Sequence, residues 1–250
     1  MRRTAPLLAI LALAACFSIP SPRTPIPALS FEHTGELRAR TLVVLLPGRF
    51  NAPEDFVEQG FVDAVRKRDL AVDLRIVDAH LGYYVNRVFE KRLREDIFQP
   101  ARRRGYDTIW VVGVSLGGLG SLLYSSAHPE DVDGVFVMAP YLGVDDAVKE
   151  VRAAGGLAEW TPGVIDPQDY SRNLWAWLKG YAQPGAKRPP LYLAYGTDDD
   201  FALANAMLAR HLPPERVFRE AGGHDWPVWL KLWEQFLDAA PFEHHPPQDH

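Results

Sequence analysis

Thr108-Ile109-Trp110-Val111-Val112-Gly113-Val114-Ser115-Leu116-Gly117-Gly118-Leu119 is the stretch that decides how the rest of the chain is read. Thr108–Val112 is a short apolar run without polar alternation, which fits a strand covered on both faces. Leu116–Ala127 has helical character. Between them, Gly113-Val114-Ser115-Leu116-Gly117 makes a sharp turn from strand into helix. A turn of that kind strains the backbone of its central residue and holds the Ser115 side chain clear of the sheet. Only small flanking residues avoid a clash there, hence Gly113 and Gly117.

Outward from this turn, strand and helix signals alternate. Thr41–Leu46 is a continuous apolar run, Val72–Val77, Gly134–Ala139 and Leu191–Tyr195 are further strands, and Arg216–Arg219 is a short last one. Pro53, Glu54 and Asp55 open a helix that reaches Arg66-Lys67-Arg68. Val85, Phe89, Leu93 and Ile97, spaced by four, give a second helix one apolar stripe. Phe201–His211 and Pro227–Leu237 supply two more. This order predicts an α/β protein with a mainly parallel twisted sheet and helices on both faces. Tyr141 to Pro190 interrupts the rhythm. It holds no strand signal but carries Trp160, Trp175 and Trp177, and Asp166-Pro167 starts a helix running to about Lys179. We read residues 141–189 as a helical cap inserted over the carboxyl edge of the sheet, its tryptophans serving equally to pack it down.

The ends of the chain have a different character. Arg2 and Arg3 precede an apolar run from about Ala5 to Ala15, too short to span a bilayer comfortably. Leu13-Ala14-Ala15-Cys16 closes it and resembles the lipobox of bacterial lipoproteins, in which the Cys is lipidated and becomes the first mature residue. Cys16 is the only cysteine among 250 residues, so no disulfide or cysteine-ligated metal competes for it. Residues 1–15 are thus expected to be a signal peptide and 16–40, with Pro20, Pro22, Pro25 and Pro27, a Pro-rich tether to the membrane, with the chain in the cell envelope. The folded domain is expected over 41–240. The Pro-rich tail 241–250, with His244, His245 and His250 at no metal-binding spacing, reads as disordered. A net charge of -5 with no basic stripe argues against nucleic-acid binding.

A serine hydroxyl becomes a useful nucleophile only when a base takes its proton, so Ser115 calls for a histidine and an orienting acid. At this place in the chain, Gly113-Val114-Ser115-Leu116-Gly117 resembles the nucleophile elbow of the α/β-hydrolases, and the likeness extends from about Thr41 to Leu237. The resemblance implies the α/β-hydrolase fold, with the acid and then the base following the serine, each after a strand. Gly196-Thr197-Asp198-Asp199-Asp200-Phe201 looks like the acid loop. Setting Gly196 and Phe201 on the usual glycine and apolar positions selects Asp199, with Asp198 the alternative and Asp200 a cap for the helix at Phe201. Gly222-Gly223-His224-Asp225-Trp226 resembles the histidine loop of bacterial esterases of the esterase D and enterochelin-esterase type. Asp225 is read there as a helix cap.

The same resemblance places oxyanion donors at the backbone N–H of Leu116 and in the loop Leu46-Pro47-Gly48-Arg49-Phe50, at Arg49 or Phe50. That loop lacks the His-Gly-Gly of many lipases. The Arg49 side chain is read either as a contact for an anionic substrate group or as a surface residue, the second being slightly favoured. His80 follows the second strand near the active edge but does not fit the base's position, and His33, His128 and His211 read as solvated. The expected activity is hydrolysis of a small-molecule carboxylic ester through an acyl-enzyme, with no metal or organic cofactor implied. Acyl transfer to another acceptor, thioester or amide substrates, and a catalytically silent envelope binding module remain open alternatives.

Overall fold

The computed structural model describes residues 19–239 and Phe242, apart from 37, 184 and 186. The expected leader with Cys16 and the tail histidines lie outside the described residues. Seven strands form one sheet in the order β1-β3-β2-β4-β5-β6-β7. They are β1 (Ala28–Phe31), β2 (Thr41–Leu46), β3 (Val72–Val77), β4 (Thr108–Val114), β5 (Gly134–Met138), β6 (Leu191–Gly196) and β7 (Val217–Glu220). All neighbours pair in parallel except β1, which runs antiparallel to β3. With helices on both faces, this is the α/β-hydrolase arrangement.

The helices are α1 (Pro53–Glu58), α2 (Phe61–Arg66), α3 (Leu81–Val85), α4 (Phe89–Leu93), α5 (Gln99–Arg103), α6 (Leu116–Ala127), α7 (Asp145–Ala153), α8 (Tyr170–Leu178), α9 (Ala202–Ala209) and α10 (Trp226–Asp238). The central strands explain why the sheet needs cover on both sides. Leu42, Val44 and Leu46 of β2 and Ile109 and Val111 of β4 join the core under α6. Val43 and Leu45, with Trp110 and Val112, join the one under α2 and α10. Successive residues face opposite sides, so a continuous apolar run buries all of itself. Each such side chain contributes roughly 1.5–3 kcal/mol when fully buried.

Several expectations are corrected. The folded part begins before residue 41: Ala28–Phe31 pairs with β3, and Ile26 is buried. A four-residue edge strand with partly exposed side chains leaves little apolar signal, and the surrounding prolines mask it. The helix from Pro53 breaks at Gly60, whose φ of 86° turns the chain into α2. The Val85–Ile97 stripe is likewise broken. Arg87 takes a left-handed φ of 55°, which leaves Val85 exposed while Phe89, Leu93 and Ile97 stay buried. Beyond it, α4 runs through a π-helical turn at Arg94–Phe98 into α5.

Among the described residues, 141–189 hold two α-helices, not one. α7 was not anticipated, because Ala147 and Val151 are its only buried residues. α8 starts at Tyr170, where Asp169 accepts from the Arg172 N–H at 3.0 Å, rather than at Pro167. Trp160 and Trp175 are buried and tie this insert to the domain, and Glu150 joins its parts by accepting from Trp160 Nε1 at 2.9 Å and Arg172 Nε at 2.7 Å. Phe242, assigned to the tail, packs edge-on against Trp110 with centroids 5.5 Å apart.

Candidate active site

Ser115 stands between β4 and α6 with φ 55° and ψ -113°, a conformation that costs a residue with a Cβ of order 1–3 kcal/mol. Three backbone hydrogen bonds hold it. Its N–H donates to Met138 O at 3.0 Å, and its carbonyl accepts from Tyr141 N at 3.1 Å and Leu119 N at 3.1 Å. The flanking glycines are steric necessities. A Cβ on Gly113 would collide with the Gly117 backbone, and one on Gly117 would collide with the Leu46 carbonyl.

The loops after β6 and β7 converge on that serine. His224 Nε2 lies 2.9 Å from Ser115 Oγ, and His224 Nδ1 lies 2.7 Å from Asp199 Oδ2. The Asp199 side chain is fully buried, and its Oδ1 accepts from Phe201 N at 2.7 Å. Asp198 and Asp200 are exposed. The structure therefore joins Asp199, not Asp198, to the histidine. Asp200 does not cap α9, whose first turn is held instead by the side chain and carbonyl of Asp199. The Asp198 N–H donates to Gly222 O at 2.9 Å and locks the acid loop to the histidine loop. Asp225 does cap α10, accepting from Val228 N at 3.1 Å.

Two rings that sequence reasoning missed fix the imidazole. Phe201 and Trp229 meet it edge-on, with centroids at 5.0 Å and 4.9 Å. Trp229 is one residue of an ordinary amphipathic stripe on α10, and nothing in that stripe marks it.

The expected oxyanion donors are placed as follows. Leu116 begins α6, so its N–H has no partner within the helix. Gly48 lies against the serine, since a Cβ there would sit 3.5 Å from Ser115 Cβ. Asn51 N donates to Gly48 O at 3.2 Å, closing a turn in which Arg49 and Phe50 are the central residues. The Phe50 ring points outward, and the Arg49 guanidinium lies 4.9 Å from its centroid.

A cavity of ≈ 780 Å³ opens beside Ser115. α3, α4 and α6 wall it with Leu81, Tyr84, Phe89, Leu116 and Leu119, and Tyr141, Pro167, Gln168 and Tyr170 of the insert close another side. Arg49, exposed at the surface, also borders it. Burial drives the Tyr84 hydroxyl well above the usual phenol range. Burial and a hydrogen bond with Tyr170 push Tyr141 up to about 12, so both stay neutral at ordinary pH. His80 is not part of this wall; its Nδ1 accepts from Gly82 N at 3.1 Å and caps α3. Among the described residues, the group with metal-ligand spacing is His128, Glu130 and Asp131. It sits at the far end of α6, about 20 Å from Ser115 by helix rise. Arg94 already pairs with Glu130 at 3.0 Å and Asp131 at 3.2 Å.

The model of the family named Esterase, described as "Putative esterase", matches residues 56–238. The chain belongs to this esterase family. The three site residues of the esterase all fall within the match. No curated protein sequence matches it. Among solved structures, a ferulic acid esterase shares its fold with a TM-score of 0.57 at 16% identity, over 84% of this chain and 89% of that one. Est1E from Butyrivibrio proteoclasticus aligns with a TM-score of 0.57 at 13% identity, over 85% and 93%. The S-formylglutathione hydrolase FrmB from Staphylococcus aureus aligns with a TM-score of 0.55 at 12% identity, over 80% of each chain.

Proposed function

We propose that this esterase hydrolyses small-molecule carboxylic esters through an acyl-enzyme on Ser115. The observation that carries the reading is the unbroken relay from Ser115 Oγ to His224 Nε2 at 2.9 Å and from His224 Nδ1 to Asp199 at 2.7 Å. Asp199 accepts from Nδ1–H, which leaves Nε2 with its lone pair toward the serine. His224 takes the hydroxyl proton as Oγ attacks the ester carbonyl. The oxyanion is met by the N–H of Leu116, at the positive end of α6, and by that of Arg49, with the Phe50 N–H next in the same turn. His224 then gives its proton to the leaving alcohol and activates the water that releases the acid.

The aromatic wall of the cavity and the ferulic acid bound to Est1E support an ester small enough to fill ≈ 780 Å³. Hydrolysis of p-nitrophenyl acetate by the purified protein tests the reading. Loss of turnover in Ser115→Ala is expected, and undiminished turnover in that variant would overturn it. The Leu13-Ala14-Ala15-Cys16 signature further supports attachment to the cell envelope through a lipid on Cys16. Among the described residues no helix is long and apolar enough to cross a membrane. Incorporation of labelled palmitate that disappears in Cys16→Ser is the expected result, and no incorporation would refute the anchor.

A further inference from the structure

β1 runs against the rest of the sheet, and this fixes where the chain ahead of it emerges. Ala28, its first residue, pairs with Val77, the last of β3. The preceding segment therefore leaves the sheet at the carboxyl edge, where Ser115 stands. It stays on the surface there. Ile26 N donates to Asp96 Oδ2 at 2.8 Å, Arg23 N to Tyr83 Oη at 3.0 Å, and the Tyr83 hydroxyl to Arg23 O at 3.1 Å. The Pro20 carbonyl rests on Gly82, where a Cβ would collide with it. Residues 20–26 are strapped along α3, and α3 also supplies Leu81, Tyr84 and Val85 to the cavity wall.

Pro20 is four residues from Cys16, a stretch that spans at most about 14 Å fully extended. A lipid on Cys16 would therefore hold the bilayer surface close to α3. The side chains on that flank are apolar and exposed. Val85 and Tyr170, 58% and 41% exposed, line the cavity. Phe50, 78% exposed, flanks the lining Arg49, and Ile19, 49% exposed, precedes Pro20. Val85 and Tyr170 stand at the opening itself, while Phe50 and Ile19 are each one residue from a group that borders the cavity or packs on α3, a closer grouping than the single scattered apolar residues normal on a soluble surface. Arg49 and Arg87 also line the cavity, against one acid, Glu90, a balance that suits anionic lipid headgroups.

We infer that the cavity mouth faces a phospholipid bilayer, with Phe50, Val85 and Tyr170 at headgroup level, and that the ester reaching Ser115 is drawn from that bilayer. The source of the ester rests on the esterase reading; the orientation rests on the strapped segment and the anchor.

The orientation is measured on full-length protein processed through its own leader and carrying Ser115→Ala, so that no lipid is consumed. Lipid on Cys16 occupies the only native thiol, and Phe50→Cys, Val85→Cys or Glu215→Cys then takes a single bimane label. Glu215 is exposed and lies just ahead of β7, at the opposite edge of the sheet. In vesicles of phosphatidylethanolamine and phosphatidylglycerol containing brominated lipid, labels at 50 and 85 lose fluorescence and the label at 215 keeps it. Equal quenching at all three positions, no quenching at 50 and 85, or protein recovered without lipid overturns the inference. So does shielding of the label at 85 in the absence of vesicles, which would mean that a second copy covers this face. Because no readout involves hydrolysis, failure here leaves the p-nitrophenyl acetate test standing, and failure of that test leaves the orientation standing.

Discussion

Asp199→Asn changes one atom at a fully buried position, and the contacts there dictate how the new amide settles. Asp199 Oδ1 accepts from Phe201 N at 2.7 Å while Oδ2 faces His224 Nδ1 at 2.7 Å. If the amide oxygen stays on Phe201 N–H, its NH2 faces Nδ1. The ring must then carry its proton on Nε2, where it cannot accept one from Ser115. The flipped amide restores the productive tautomer but sets NH2 against the Phe201 N–H. Two buried donors facing each other cost about 1–3 kcal/mol, which leaves the productive arrangement roughly 5- to 150-fold the rarer. The carboxylate charge facing the imidazolium is lost as well. Together these predict a fall in kcat of roughly 10³- to 10⁴-fold. KM is expected to change little, since Asp199 does not line the cavity. Initial rates with p-nitrophenyl acetate, on protein shown by circular dichroism to be folded, provide the readout. A loss below about tenfold, or an equal loss in Asp198→Asn, would refute the reasoning.

Other outcomes follow from single contacts. Gly117→Ala drives a methyl into the Leu46 carbonyl; overpacking of this kind costs about 1–3 kcal/mol, and a lowered melting midpoint by calorimetry is expected, whereas an unchanged midpoint would mean that the backbone yields freely. Phe201→Ala removes the ring against His224 and Tyr141; kcat should fall with the fold intact, and an unaltered kcat would show that Trp229 alone holds the imidazole. The pKa of Glu150 is lowered by its hydrogen bonds from Trp160 and Arg172. The stability it lends is full above roughly pH 4.3, the unfolded value, and is lost as pH falls through the lower folded one. Because the side chain is 39% exposed the effect is small, and Glu150→Gln should flatten the acid side of the melting-point profile; an identical profile would remove the insert's ion pair from the account.

How far the sequence could be read depended on whether the signal was local. β2, β3 and α6 match their expected bounds because a run buried on both faces in β2, the alternation of buried and half-buried residues in β3, and a strand-to-helix turn flanked by required glycines ahead of α6 each write their pattern into adjacent residues. The acid and base loops were legible through their resemblance to those of the α/β-hydrolases, carried by Gly196 and Phe201 in one and by Gly222 and Gly223 in the other. What was missed lies in contacts between distant segments. The clamp of Phe201 and Trp229 on His224 and the packing of residues 20–26 on α3 join positions far apart in the chain. The break at Arg87 has no glycine or proline to announce it: an arginine takes the left-handed position usually given to glycine, closing α3 with its own N–H on Tyr84 O at 3.0 Å and the Val88 N–H on Tyr83 O at 3.0 Å. Asp199 was favoured over Asp198 by setting Gly196 and Phe201 on the positions the resemblance implies, and the loop buries that carboxylate against His224.

The most direct measurement is the fate of the serine itself. Protein mixed with p-nitrophenyl acetate, quenched early and digested, should yield one acetylated peptide with the modification on Ser115. The adduct should be absent in Ser115→Ala and should form far more slowly in His224→Ala. Acetylation at another residue, or release of p-nitrophenol at the full rate without Ser115, would contradict the account.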